Sequence, residues 1–95
     1  MRMMLQLQID NEAGNRAIDD GTLPKVLDEA LARLQPEAAY FTTVDGSRGG
    51  YVVFDLRDTS EIPFLVEPLF TRLNAKITCT PVMDRDDLQR GLSQL

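Results

Sequence analysis

Residues 38–56 read AAYFTTVDGSRGGYVVFDL. Two runs rich in aromatic and β-branched residues, Ala38 to Val44 and Tyr51 to Leu56, flank the turn signal Asp45-Gly46-Ser47-Arg48-Gly49. They predict a β-hairpin with a loop of about five residues. What lies on either side of the hairpin is similar. Upstream, Leu23, Val26, Leu27, Ala30, Leu31 and Leu34 recur at helical spacing, with Thr22 as N-cap, Pro24 in the first turn and Pro36 as the stop. Downstream, Ile62, Leu65, Val66, Leu69, Phe70 and Leu73 do the same after Asp58 or Thr59, with Glu61 at capping-box spacing from Asp58. Pro68 falls inside that second helix, where it removes a hydrogen bond and predicts a kink or a break.

Beyond the helices the period changes from helical to alternating. Met3, Leu5, Leu7 and Ile9 alternate with Met4, Gln6 and Gln8 and mark a first strand. Ala75 to Val82 marks the last, with Ile77 and Cys79 on one side, Lys76, Thr78 and Thr80 on the other, and Pro81 ending the pairing. Asn11 to Gly21 has only Ala17 and Ile18 to bury and reads as a connection with one helical turn. Asp84 caps a short terminal helix that offers Leu88, Leu92 and Leu95. The order is βαββαβ with a helical tail. Right-handed crossovers turn it into one antiparallel four-stranded sheet of order 4-1-3-2 with both main helices on one face. The expectation is an α+β, ferredoxin-like domain spanning residues 1–95.

Alternation then sorts the strands. Leu5, Leu7, Ile9, Val52, Phe54, Leu56, Ile77 and Cys79 face the helices, and Phe41 does so on the second strand. Met4, Gln6, Gln8, Tyr51, Val53, Asp55, Lys76, Thr78 and Thr80 face the other way, with Tyr40 and Thr42 beside them. A small domain whose helices lie on one side leaves such a face to be covered by a partner, and a second copy of the chain is the expected one.

The 95 residues carry a formal charge of −5 and no histidine. The acidic balance disfavours nucleic acid and anionic membrane as partners, because both are bound through a basic surface. The missing histidine removes the commonest general base and metal ligand. Cys79 is a lone cysteine in an inward register, a small core residue, and a chain without disulfides suits a cytoplasmic setting. Met1 to Ile9 lacks the unbroken apolar run of a signal peptide, and no stretch approaches the ~20 apolar residues of a membrane span.

The motifs that suggest chemistry each have a plainer reading. Asp84, Asp86 and Asp87 lack the glycine and terminal glutamate of a calcium loop, so no metal is expected. The glycine-rich stretch Asp45 to Gly50 joins two strands, whereas a phosphate cradle feeds a helix N-terminus. Tyr51-Val52-Val53-Phe54 matches the end of the RNA-recognition signature, but Gly49 and Gln6 stand where bases would stack. No cofactor and no catalytic residue is assigned. The open face remains, with Gln6, Gln8, Tyr51 and Thr78 as the lining of a small-molecule pocket and Tyr40, Thr42 and Asp55 at its rim.

Three stretches, Tyr51-Val52-Val53-Phe54-Asp55, Glu67-Pro68-Leu69-Phe70 and Thr80-Pro81-Val82, resemble the dimeric α/β-barrel superfamily, in particular muconolactone-isomerase-type proteins. The stretch from Pro36 to Thr42, followed by Asp45-Gly46, is similar to small uncharacterised bacterial proteins of that kind. The resemblance implies two sheets paired through their open faces around a cavity. It also implies isomerase, cofactor-free oxygenase or haem-degrading activity in some members, often through histidines that this chain lacks. Three functions follow as expectations: a homodimer with a small-molecule cleft, a non-catalytic dimerisation module, or a histidine-free isomerase or monooxygenase in which Tyr51 or Asp55 handles protons.

Overall fold

The computed structural model describes residues 1–95, and its central hairpin is tighter than the sequence predicts. β2 (Ala38–Val44) passes to β3 (Ser47–Asp55) through Asp45 and Gly46 alone, both at positive φ (49° and 79°). Asp-Gly supplies the two left-handed positions whose twist matches that of the flanking strands, so Ser47 to Gly50 join the strand instead of the loop. β1 (Arg2–Gln8) pairs antiparallel with β3 on one side and with β4 (Lys76–Pro81) on the other. The sheet order is β2-β3-β1-β4, which is 4-1-3-2 counted from the opposite edge. The architecture is a small α+β fold whose order of elements is compatible with the ferredoxin-like plan.

The helices are α1 (Asn11–Asp19), α2 (Thr22–Leu34), α3 (Ile62–Leu73, after a 3-10 turn at Thr59–Glu61) and α4 (Arg85–Leu92). Met3, Leu5, Leu7, Val52 and Phe54 from the sheet meet Val26 and Leu34 of α2 and Leu65, Leu69 and Leu73 of α3 in one buried cluster. Each fully buried side chain of this size contributes ~1.5–3 kcal/mol relative to exposure, so the cluster fixes which face of the sheet is inside. No helix is long and apolar enough to cross a membrane.

α1 corrects the sequence reading. Where a connection with one turn was expected, a nine-residue helix forms, capped by the Asp10 carboxylate accepting from the Ala13 N–H at 3.0 Å. Its buried face is Ala13, Gly14 and Ala17, while Ile18 is 52% exposed. Small residues let the helix lie close to its neighbours, and a hydrophobic-periodicity reading gives them little weight. Two caps also differ. Gly21, in the left-handed region, precedes α2, and Thr22 is its first residue. Asp58 caps the 3-10 turn through the Ser60 N–H, and the chain's capping box is instead Asp84 with Asp87.

α3 runs unbroken through Pro68. Pro68 has no N–H to give the Phe64 carbonyl four residues back, and Arg33 Nη1 of α2 donates to that oxygen at 3.5 Å. The same guanidinium carbon stands 4.7 Å from the centre of the Phe64 ring. The unpaired carbonyl thus receives a charged donor from the neighbouring helix, and the ring beneath holds that donor in place.

Candidate functional site

The strand registers lay the open face out in rows. Tyr40, Tyr51, Gln6 and Thr78 stand opposite one another across all four strands. On one side of this row lie Thr42, Gly49, Gln8 and Lys76, and on the other Ala38, Val53, Met4 and Thr80. Directly opposed side chains in a sheet have Cβ atoms about 4.5–5.5 Å apart, so the Tyr40 row forms a continuous band, while Gly49 leaves a gap in the Thr42 row. Six of the seven residues expected to form the site fall in two adjacent rows.

Asp55 is the exception in register. It lies four residues along β3 from Tyr51, about 13 Å in a strand, and opposes Arg2 in a further row. Its carboxylate is 2.7 Å from the Met1 ammonium, which holds it below the usual carboxylate range. An ion pair with Lys76 is ruled out by register, since Lys76 opposes Gln8 at the far end of β1. The sequence also gave no hint of the hub at Arg2, whose guanidinium donates to Glu37 at 2.5 Å and to Asp84 at 3.1 Å. Those contacts join residues 35 and 82 positions apart, and no local pattern announces them.

The band is unpartnered within the chain. Tyr40 is 72% exposed, Tyr51 is exposed, and Gln6 and Gln8 are half-buried. None of the chain's side-chain hydrogen bonds involves this row. No buried polar side-chain atom lacks a partner, so the amides and hydroxyls of the band remain reachable from outside.

Phe41 points to the helix side as expected, over Gly50 and against Leu5, Leu27 and Leu31. It is nonetheless 50% exposed, because β2 is the edge strand. Cys79 is half-buried on the same side, and burial pushes its thiol up, away from the thiolate a nucleophile needs.

The face is flat. Gln6, Tyr40, Thr42, Tyr51 and Thr78 line none of the four principal cavities. Gln8 and Lys76 reach a polar cavity of about 410 Å³ with Asp10, Glu12 and Asn74 at one end of the sheet. Asp55 belongs to a cavity of about 300 Å³ at the other end. Fold and site together define a small α+β domain with one covered and one uncovered sheet face. Compared with protein-family models and with curated proteins, the chain finds no match.

Proposed function

We propose that the chain acts as a homodimer paired through its open sheet face, with a cleft between the two sheets for a small neutral or partly apolar molecule. The observation that carries this reading is the four-strand band Tyr40, Tyr51, Gln6 and Thr78, which offers amides, hydroxyls and two rings and meets no partner within the chain. Amides and hydroxyls orient a ligand while the rings and Met4 supply apolar contact. The resemblance to dimeric α/β-barrel proteins agrees with this pairing, and a cytoplasmic setting accords with the lone cysteine. A second reading, association without a ligand, draws support from the flatness of the band.

Two measurements test the proposal. Light scattering at micromolar concentration is expected to report twice 10.7 kDa, and a mass of 10.7 kDa overturns the dimer. Native mass spectrometry of freshly purified protein is expected to show a retained small molecule. A dimer of bare polypeptide mass supports the second reading, whereas Gln6→Leu and Tyr51→Phe leaving both ligand retention and dimer stability unchanged would make the face neither site nor interface.

A further inference from the structure

At the corner where α2 ends, β3 ends and α3 begins, a cavity of about 300 Å³ opens between Arg33, Arg57 and Phe64. Leu34, Phe54 and Leu65, all buried, form its floor. In a chain of net charge −5, Arg2, Arg72 and Arg90 are each ion-paired with carboxylates. Arg33 and Arg57 are in none of the chain's ion pairs. Arg33 is also held in place: one N–H goes to the Phe64 carbonyl freed by Pro68, and the guanidinium lies over the Phe64 ring. Its remaining donors are uncommitted, and their orientation is fixed before any ligand arrives, which lowers the entropy cost of using them.

The lining selects the ligand. Guanidinium groups pair best with planar oxyanions, through two parallel hydrogen bonds. Above that buried floor the Phe64 ring, 59% exposed, offers one apolar wall, and the volume is at the low end of ligand cavities, about 300–1,000 Å³, so the body that meets it is roughly one ring. Of the two carboxylates on the lining, Asp55 is engaged by the Met1 ammonium and Glu61 has no ion-pair partner. Glu61 therefore penalises a second negative charge on the ligand.

We propose that this corner binds a small aromatic or short-chain monocarboxylate, with its carboxylate on Arg33 and Arg57 and its apolar body against Phe64 and the floor. The site is formed within one chain and shares only Asp55 with the open face.

The test is a titration of the ¹⁵N-labelled chain with benzoate, with benzyl alcohol as the neutral match of similar size. Benzoate is expected to shift amides at residues 33–35, 54–57, 61, 62, 64 and 65. Arg33→Gln and Arg57→Gln are each expected to weaken it about tenfold or more, the loss typical of one charge-assisted contact. Both arginines are exposed, so a dispersed spectrum from each variant shows that the fold is kept. Arg57→Gln leaves the Phe64 contact intact and separates binding from any effect on α3. Three outcomes overturn the proposal: no shifts at about 10 mM benzoate, a weak Kd by any standard; equal shifts from benzyl alcohol; or full affinity in both variants. Shifts confined to Gln6, Tyr51 and Thr78 also overturn it, while leaving the open-face reading standing.

Discussion

A glycine decides how the edge of the sheet is built. A Cβ placed on Gly50 would stand 2.5 Å from the Tyr40 carbonyl oxygen and 2.9 Å from Phe41 Cδ1. The first of these is backbone and cannot swing aside. Gly50 therefore lets β2 approach β3 and lets the Phe41 ring cover the strand on the helix side. Gly50→Ala forces β2 outward and is expected to cost about 1–3 kcal/mol, the usual range for overpacking. Chemical denaturation checks it: the midpoint should fall while the slope stays constant, and an unchanged midpoint contradicts the packing account. At this scale the layout of the open face was legible. Strict alternation along β1 sends Gln6 and Gln8 one way and Leu5 and Leu7 the other, so one correct parity places Tyr51 and Thr78 beside them. Asp55 shares that parity, but distance along the strand, which parity does not encode, separates it from the rest.

Elements were legible where large apolar side chains set the period and illegible where small ones did. α2 and α3 announce themselves through leucines, whereas α1 buries Ala13, Gly14 and Ala17 and resembles a loop. The arginine corner was invisible for another reason: Arg33 lies in α2, Arg57 in the connection after β3 and Phe64 in α3, with no spacing rule between them. α4 shows what a cap does without a core. It has no buried residue, and it is tied down by Asp84 and Asp87 capping each other and by the Arg2 guanidinium on Asp84. The Asp87 N–H, followed by Arg2, holds the Asp84 carboxyl below the usual aspartate range. A carboxyl depressed on folding contributes stability that is complete above its unfolded pKa and is lost as pH falls through the folded one. Acidification below the ordinary aspartate range is therefore expected to release α4 before the core opens. The protection of amides 85–92 relative to their intrinsic exchange rates should fall at low pH while that of β1 does not, and Asp84→Ala should bring several-fold faster exchange at neutral pH. Equal protection of α4 in wild type and variant would show that something other than the cap holds the helix.

The whole molecule exposes more surface than a chain of its mass needs to. A folded monomer of 10.7 kDa is expected to expose about 5,500 Å², against 6347 Å² here. Its radius of gyration is 14.9 Å, where a compact 95-residue domain has about 12 Å. The extents of 52 × 28 × 17 Å describe a flat, elongated body. The excess, about 800 Å², matches the share each partner buries in a standard interface. Two exposed surfaces with apolar side chains could meet a partner: the open sheet face with Tyr40 and Tyr51, and the α4 region with Met83, Leu88 and Leu92. Val53 separates their contributions. It stands in the middle of the open face between Ala38 and Met4, half-buried, and its side chain takes no part in the hydrogen bonds of Arg2, Asp84 and Asp87 that hold α4. Val53→Lys puts an ammonium where the partner's sheet would lie. An unpaired charge there costs several kcal/mol per copy on association, and in the lone chain it points into water at little cost. The expected result is at least a hundredfold weaker dimer by sedimentation, with the Tm of the resulting monomer close to that of the wild-type monomer at high dilution. If Val53→Lys dimerises as the wild type does while removal of residues 83–95 abolishes association, the terminal helix is the interface and the sheet face is not.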